Sequence, residues 1–273
     1  MKLLTIRELQ LLQLSVMKEI HEFCVKNDIK YYLIAGSMLG AIRHGGFIPW
    51  DDDIDIAMMR KDYDKFVSFF SKKLDSNKYF LQNYDTEENF QPALSRICIK
   101  GTHVDIPMER HLKICKNTYI DVFPLDNVPD NEADRASQRS SLIKIDNKFE
   151  LKLGRVYDRG FLCSKLIAKR LISALMFAIP YKKLQREREK VMRMYVDVDT
   201  RCVCSTVSKY GYDKQVIDRS LYGIPTLYTF EDTQFFGPEH CDAYLKHLYG
   251  KNYMQIPPED KRVKPHDVYL LEE

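Results

Sequence analysis

Four aspartates packed into five positions constrain this chain more than any other feature. Residues 51–57 have the sequence DDDIDIA, in which acidic and apolar residues alternate. Because side chains alternate across a strand, the pattern predicts that Asp53 and Asp55 share one face while Ile54 and Ile56 enter the core. Two carboxylates about 7 Å apart along a strand can bind one divalent cation, whereas without a cation they repel each other. The sequence therefore predicts a metal-binding strand.

Two simpler explanations of the acidic run remain to be weighed. A solvated acidic turn needs no ligand and stays open as an alternative. An EF-hand loop is excluded, because its sixth position must be glycine and, counted from Asp51, that position is Ile56. Asp51 shares the parity of Asp53 but precedes the predicted strand, and Asp52 faces the other side, so both rank second as ligands.

A Gly-Ser pair lies upstream of the acids, between an apolar segment and a helical one. Residues 31–35 predict a strand, Gly36 and Ser37 a turn, and residues 38–42 the start of a helix. Free N–H groups and the helix dipole at such a junction favour phosphate, and the Ser37 hydroxyl adds a donor. An ordinary turn is the alternative. A Walker loop is excluded because no Lys-Ser/Thr pair follows.

A third acidic site lies downstream, in the apolar stretch YIDVF at residues 119–123. A lone aspartate in a strand is usually a surface residue or a cap, but the neighbours of Asp121 are of buried types. Three carboxylates from two strands suit metal-assisted phosphoryl transfer. We therefore include Asp121 with Asp53 and Asp55 as predicted metal ligands and catalytic residues.

The order of predicted elements gives the fold class. Thr5 and Glu8 have capping-box spacing, which predicts a first helix that ends near residue 27. Helix, strand and helix alternate up to residue 130, helical patterns fill 131–196, and short strands return after 203, before a last helix within 238–249. Further strands are predicted at 78–82, 95–100 and 118–123. This order favours an α/β or α+β mixed sheet flanked by helices, with a core at 1–130, a helical insertion at 131–200 and a completing segment at 201–273.

Charge and cysteine content narrow the function class. The 273 residues contain 42 Lys or Arg and 39 Asp or Glu, a net charge of +3, which does not support nucleic-acid binding. The seven cysteines are odd in number and irregularly spaced, and the N-terminal segment lacks a secretory pattern, so we expect reduced thiols in a cytoplasmic protein. A zinc site at Cys202, Cys204, His240 and Cys241 lacks the usual CxxC spacing and is disfavoured.

The motifs together resemble the LicD family, of the nucleotidyltransferase-fold superfamily. Residues 33–58, LIAGSMLGAIRHGGFIPWDDDIDIAM, are similar to its signature, 119–126, YIDVFPLD, to its second motif, and 230–258 to its tail. The superfamily is marked by Gly-Ser, an Asp-x-Asp strand and a third strand Asp. The pairs Gly36-Ser37 and Asp53-Asp55, together with Asp121, match these positions. The resemblance covers nearly the whole chain and is weakest over 131–200.

The resemblance implies a transferase that uses a CDP-activated alcohol, typically CDP-choline. Phosphocholine passes to a hydroxyl of a cell-surface glycan, such as teichoic acid or lipopolysaccharide, whether free or lipid-linked, and CMP leaves. Fukutin-related proteins, which are similar, use CDP-ribitol, so the fold does not fix the headgroup. In these roles Asp53 and Asp55 bind Mg²⁺ or Mn²⁺, Asp121 completes the site and orients or deprotonates the acceptor hydroxyl, and Gly36 and Ser37 hold phosphate.

Other residues near the motifs are weaker candidates for substrate binding. Arg43 could neutralise the departing CMP or be a surface residue, and His44 could bind substrate or be structural. Trp50 could stack on a base or a quaternary ammonium group, or anchor the core. Arg96 and Lys100, on a predicted neighbouring strand, are candidate phosphate ligands.

Three rival functions remain open. A nucleotide-sugar glycosyltransferase with an Asp-x-Asp site and Mn²⁺ explains Asp53 and Asp55, but neither the Gly-Ser pair nor Asp121. A nucleotidyltransferase in the strict sense would release pyrophosphate. A catalytically inactive, membrane-associated scaffold would not need the complete carboxylate set.

A basic segment predicts contact with a membrane surface. Residues 144–193 contain 14 Lys or Arg and 5 Asp or Glu. Within it, Lys165, Lys169 and Arg170 share one face of an amphipathic pattern at 161–181, which fits a helix lying on anionic lipid. A helix packed on the core is the alternative. We therefore expect peripheral contact at the inner membrane face through 160–190.

Overall fold

The computed structural model describes residues 1–73, 75–107, 109–153, 178–206 and 211–271. The helices in these ranges are α1 (Ile6–Lys26), α2 (Ala35–His44), α3 (Arg60–Lys73), α4 (Glu132–Lys152), α5 (Tyr181–Met192), α6 (Tyr212–Gln215), α7 (Arg219–Tyr222) and α8 (Cys241–Tyr249). The strands are β1 (Lys2–Leu3), β2 (Tyr32–Leu33), β3 (Asp55–Met59), β4 (Tyr79–Gln82), β5 (Ser95–Ile99), β6 (Thr102–Val104), β7 (Tyr119–Val128), β8 (Cys202–Cys204), β9 (Val216–Asp218), β10 (Thr226–Phe230), β11 (Thr233–Gly237) and β12 (Val268–Leu270).

A mixed seven-stranded sheet forms the centre of the molecule. Its strands follow the order β2-β3-β7-β5-β4, and β8 and β9 continue the sheet from the far end of β7. The neighbours β3 and β7 are parallel, while β2 pairs with β3, and β5 with β7, in antiparallel fashion. A smaller sheet, β1-β12-β6, and a β10-β11 hairpin complete the strands. The structure therefore confirms the predicted mixed α/β fold with flanking helices.

The first helix begins as the sequence predicts, with a capping box between Thr5 and Glu8. Its aromatic Phe23 packs edge-on against Phe66 and Phe70 of α3, with ring centroids 5.9 and 5.1 Å apart. These helices share the apolar core with the central sheet. The core is thus built mainly from the predicted elements.

The acidic run differs from the prediction in one respect. Strand β3 begins only at Asp55, so residues 51–54 form a loop, and the prediction that Asp53 and Ile54 already lie in the strand was wrong. The cause is a pair of buried glutamines on α1: Gln10 Nε2 donates to the carbonyl of Asp51 at 3.0 Å, and Gln13 Nε2 to that of Asp52 at 2.9 Å. These bonds hold the loop backbone away from a strand ladder.

Downstream of the acids, the expectation for the isoleucines holds. Both Ile54 and Ile56 are fully buried. The apolar half of the alternating pattern thus anchors this segment in the core, and the acidic half is left on the other side.

The described parts of 131–200 contain helices and no strand, as the sequence predicts. Helices α4 and α5 pack together through the stacked rings of Phe149 and Tyr181. Arg60 of α3 joins this pair to the sheet, because its guanidinium bonds Asp126 of β7 at 2.6 Å and Glu189 of α5 at 2.9 Å. The proposed domain boundaries stay predictions.

Most of the predicted membrane-contacting helix lies outside the described residues, including Lys165, Lys169 and Arg170. Within the ranges that the structure describes, no helix is both long enough and apolar enough to span a bilayer.

Candidate active site

A cavity of about 600 Å³ opens beside the start of β3 and β7. Its wall includes the predicted active-site and substrate-binding residues except Ser37, His44 and Lys100, namely Gly36, Arg43, Trp50, Asp53, Asp55, Arg96 and Asp121. The opposite wall comes from residues 249–263, which lie far along the chain. Tertiary folding therefore brings most of the predicted residues to one place.

Parallel pairing of β3 with β7 places two of the acids side by side. In this register Asp55 lies directly opposite Asp121, and Ile56 opposite Val122. Both acids line the cavity, while the residues that follow them are buried in the core. Two carboxylates from neighbouring strands thus face one enclosed space, as the sequence predicted from residue types alone.

The acidic loop forms a separate, tight cluster just before these strands. Carboxylate oxygens of Asp51, Asp52 and Asp53 lie within 4.8 Å of one another. Within this cluster, Asp52 Oδ2 accepts a bond from the backbone N–H of His266 at 2.6 Å and lies 2.8 Å from its Nδ1. Burial alone would raise the pKa of Asp52, but the hydrogen bonds from His266 outweigh it and lower that pKa.

The two carboxylates that line the cavity from this loop are Asp51 and Asp53. Asp51 approaches α2 closely, since a Cβ atom at Gly36 would lie 2.7 Å from its Oδ2. Only glycine at position 36 allows this contact without a shift. Asp51, ranked second from the sequence, is therefore placed as well for a ligand as Asp53.

The Gly-Ser pair lies inside the first turn of α2, which begins at Ala35 and not at residue 38 as predicted. Ala35 has the left-handed φ of 46°, and its N–H donates to the Tyr244 hydroxyl at 3.1 Å. Among the described residues, no protein group accepts from the N–H of Gly36 or of Ser37. The cavity-lining start of this helix therefore keeps two donors that suit an anionic ligand.

The Ser37 side chain has a different task from the one predicted. Its buried Oγ accepts the backbone N–H of Asp55 at 2.8 Å, and Ser37 does not line the cavity. The hydroxyl thus links α2 to the first residue of β3. This contact fixes the backbone that carries the Asp55 carboxylate.

Arg96 lies against Asp121, on the neighbouring strand β5. Its Nε donates to Asp121 Oδ1 at 3.2 Å, and its Nη1 to both oxygens of Glu109 at 3.1 and 3.2 Å. The guanidinium also stacks 3.9 Å above the Tyr119 ring. Because two carboxylates and an aromatic face hold it, the geometry favours Arg96 as a positioning residue for Asp121 over the predicted phosphate contact.

Electrostatics at this pair follow from its burial. Burial disfavours the charged form and raises the pKa of Asp121, more than the nearby Arg96 lowers it. For Arg96 burial lowers the pKa, but Asp121, Tyr119 and Glu109 together raise it. The other predicted phosphate ligand, Lys100, donates to the carbonyl of Ser76 and does not line the cavity.

Arg43 and Trp50 connect the motif to the far wall of the cavity. Arg43 Nη1 donates to the carbonyls of Tyr253 and Gln255, both at 3.2 Å, and partial burial lowers its pKa. The guanidinium of Arg262 lies 4.3 Å above the ring of Trp50. Both motif residues therefore hold the 249–263 segment in place as well as lining the cavity.

His44 has no direct place in the cavity wall. Its ring meets that of Trp50 edge-on, with centroids 6.1 Å apart. This contact matches the structural alternative for His44.

The donor set fits a hard divalent cation. Asp51, Asp53, Asp55 and Asp121 offer carboxylate oxygens, the ligands that Mg²⁺ prefers. Within the part of the chain that the structure describes, the candidate metal cluster is Asp51–Asp53, and no cluster includes Cys202, Cys204, His240 or Cys241. The residues present thus suit magnesium better than zinc.

Comparison with known proteins identifies relatives of this chain. Residues 28–132 match the family LicD/FKTN/FKRP, nucleotidyltransferase domain. The chain is 27% identical over 275 residues to lipopolysaccharide cholinephosphotransferase LicD of Haemophilus influenzae. The aligned region covers 99% of this chain and 100% of that protein. It is 50% identical over 34 residues to human ribitol 5-phosphate transferase FKRP, or 12% of this chain and 7% of that protein. An uncharacterized protein of Rickettsia prowazekii, RP689, is 36% identical over 109 residues, 40% of this chain and 31% of that protein.

Proposed function

Residues 28–132 match the nucleotidyltransferase domain of the LicD family, and from this premise we propose a phosphotransferase function. The protein transfers phosphocholine, or a related phospho-alcohol, from a CDP-activated donor to a glycan hydroxyl and releases CMP. The single observation that carries the proposal is the register of β3 and β7, which sets Asp55 beside Asp121 in a cavity that also contains Asp51, Asp53 and the start of α2. The full-length relationship to a lipopolysaccharide cholinephosphotransferase supports the transferred group and the class of acceptor.

In the proposed reaction Asp53 and Asp55 hold Mg²⁺ with help from Asp51, and Asp121 completes the carboxylate set. The cation supplies charge neutralisation for the diphosphate. The N–H of Gly36 binds a phosphate oxygen at the positive end of α2, and Ser37 supports the site from behind the cavity wall. This donor is fixed before substrate arrives, which is the condition for efficient electrostatic stabilisation.

Asp121 is the proposed base for the acceptor hydroxyl. Its carboxylate lines the cavity beside Asp55, where an acceptor hydroxyl can come within hydrogen-bond reach. Its Oδ1 faces Arg96 at 3.2 Å, so the guanidinium keeps the carboxylate in one orientation. The acceptor glycan approaches from the open side of the cavity, opposite the leaving CMP, for which Arg43 provides positive charge.

The location also belongs to the proposal. We place the reaction at the cytoplasmic face of a membrane, where a lipid-linked glycan can reach the cavity, with peripheral contact through residues 160–190. Lys182 and Lys183, at the described end of that segment, lie at the start of α5. The remainder of this contact stays a prediction from the sequence.

The test is to identify the nucleotide product. Purified protein is incubated with CDP-choline, a lipopolysaccharide or teichoic acid acceptor and Mg²⁺, with CDP-ribitol in parallel to define the headgroup. We expect CMP, with a loss of turnover in EDTA that Mg²⁺ restores. Pyrophosphate from a nucleoside triphosphate, or UDP from a nucleotide sugar, would instead support one of the rival enzymes.

Two variants assign the metal ligands in the same assay. We expect Asp53→Asn and Asp55→Asn each to remove most of the activity with little change in Tm, because neutral amides bind Mg²⁺ far more weakly than carboxylates. Asp62→Asn is the matched control, since Asp62 lies past the other end of β3 and does not line the cavity. Near-normal turnover of either cavity variant would exclude that residue as a ligand.

A further inference from the structure

Among the residues that the structure describes, one buried hydroxyl on the cavity wall has no hydrogen-bond partner. Ser205, which directly follows β8, is 2% exposed and lines the cavity, and its Oγ is unbonded. A buried hydroxyl without a partner destabilises the folded protein. Since most buried polar groups in proteins are bonded, an unbonded one at the wall of a cavity indicates a group that a ligand completes.

Strand pairing fixes how far Ser205 lies from the acids. Cys204 of β8 is opposite Asp126 of β7, which sets Ser205 next to Leu125. Leu125 follows Asp121 by four residues on the same strand, a distance of about 13 Å. Phe123, between them, also lines the cavity. The cavity therefore extends along β7 from the carboxylates to Ser205.

This separation decides which part of a CDP-alcohol reaches Ser205. The diphosphate belongs at the acidic end, beside Asp55 and Asp121. A choline arm extends only a few single bonds from its phosphate and ends in a trimethylammonium group that cannot hydrogen-bond. The reacting hydroxyl of the acceptor must also lie at the acidic end. A nucleoside is longer, and its ribose hydroxyls and base offer both donors and acceptors.

We propose that Ser205 Oγ hydrogen-bonds the nucleoside part of the activated donor and so helps the enzyme to bind a nucleotide at the far end of the cavity. This inference rests on the proposed function, and it names a binding residue that lies outside the family motifs. Phe123 and the wall residues between the two ends supply apolar contact, and Ser205 supplies a polar anchor.

The chain offers a matched control at the next position. Thr206 Oγ1 is also buried and unbonded, but Thr206 does not line the cavity. Thr206→Val removes that hydroxyl with little change of shape, as Ser205→Ala does at the wall. Any general effect of deleting a buried hydroxyl in this segment should appear in both variants. An effect on ligand binding should appear only in Ser205→Ala.

The experiment is calorimetric titration of the full chain with CMP and, separately, with phosphocholine, both in Mg²⁺. We expect Ser205→Ala to weaken CMP binding about tenfold, the effect of losing one hydrogen bond to a buried group, and to leave phosphocholine binding within about twofold. Thr206→Val should bind both probes like the wild type. Without ligand, the Tm of Ser205→Ala should equal or exceed that of the wild type, because an unbonded polar group has been removed.

The outcomes separate this inference from the function on which it rests. CMP binding by the wild type that survives Ser205→Ala unchanged would overturn the inference alone. An equal loss of affinity for CMP and phosphocholine would also overturn it. So would a variant whose only change is a raised KM for the glycan in the transfer assay. A wild-type protein that binds no cytidine nucleotide in Mg²⁺ would overturn both proposals.

Discussion

The two ends of β7 carry the same pair of residue types in two different settings. At its start Asp121 meets Arg96 through one bond of 3.2 Å, and the Asp121 side chain is 15% exposed at the cavity wall. Near its other end Asp126 meets Arg60 through two bonds of 2.6 and 2.7 Å, and its side chain is 2% exposed. One ion pair borders open space and the other is enclosed.

The difference teaches what makes a buried carboxylate available for chemistry. Asp126 has both oxygens bonded to one guanidinium and is almost fully buried, so a ligand cannot reach it. Arg96 also donates from Nη1 to a second carboxylate, Glu109, and Asp121 receives a single bond from its Nε. We therefore expect the enclosed pair to contribute to stability and the cavity pair to activity, and each prediction below tests that division.

The largest expected effect is on turnover at the cavity end. Asp121→Asn keeps the size of the side chain but removes its capacity to accept a proton, so kcat should fall by about 10²–10⁴ while Tm changes little. Initial rates of CMP release and a thermal melt measure the two quantities. An unchanged kcat with a lower Tm would show that Asp121 has a structural role, as Asp126 has, and would contradict the proposed difference between the two ends.

The enclosed end should respond in the opposite way. Asp126→Asn removes the carboxylate charge that holds two arms of the buried Arg60 and leaves Glu189, at 2.9 Å, as its nearest carboxylate, so the free energy of unfolding should fall by about 3 kcal/mol. Urea unfolding measures the loss. At temperatures well below its Tm, the variant should keep a kcat within about twofold of the wild type. A residue away from the reacting atoms is expected to change the activation free energy by well under 1 kcal/mol. A larger loss of kcat would show that both ends of β7 serve catalysis.

A smaller effect should distinguish positioning from phosphate binding at Arg96. Arg96→Lys keeps the charge but loses the planar fork that holds two carboxylates at once. We expect kcat to fall about tenfold, worth about 1.4 kcal/mol, with little change in the KM of the donor. A rise in donor KM with constant kcat would instead restore the predicted phosphate contact.

The smallest effects should come from two amides that support the ends of β7. Gln13 Nε2 donates to the carbonyls of Asp52 and Tyr119 at 2.9 and 3.3 Å, and Asn127 Nδ2 to that of Val198 at 2.7 Å. Loss of such bonds costs about 1 kcal/mol each.

These amides form a matched pair of variants. Gln13→Leu should lower kcat several-fold, because the acidic loop loses its support, and Asn127→Leu should lower only Tm. Kinetics and thermal melts on both proteins check this, and equal kinetic effects would contradict the division.

Much of this site could be predicted because its polar residues lie in short sequence motifs. The acids, the Gly-Ser pair and Asp121 each lie in a local pattern of polar and apolar residues, and the capping box located α1. The LicD resemblance is confirmed by the match over residues 28–132. Local alternation also predicted the burial of Ile54 and Ile56.

The supporting contacts could not be predicted, because they join residues far apart in the chain. Gln13 is a polar residue on the first predicted helix, yet it is 1% exposed and bonds the carbonyl of a residue 39 positions away. Arg262 and Ser205 carry no local signal, and only the fold places them at the cavity. The start of β3 was misplaced for the same reason, since periodicity does not show a competing side-chain bond.

The far wall of the cavity also has a consequence for the order in which the protein matures. His266 bonds Asp52 across 214 positions, and the carbonyl of Tyr253 accepts from Arg43 across 210. A chain emerging from the ribosome therefore displays Asp51, Asp53, Asp55 and Asp121 before residues 249–266 can enclose them. Domains fold as units during synthesis, so the nascent polypeptide should bind the proposed donor poorly until residues 249–266 have emerged, and ribosome-bound intermediates that lack this segment should be inert toward the nucleotide pool.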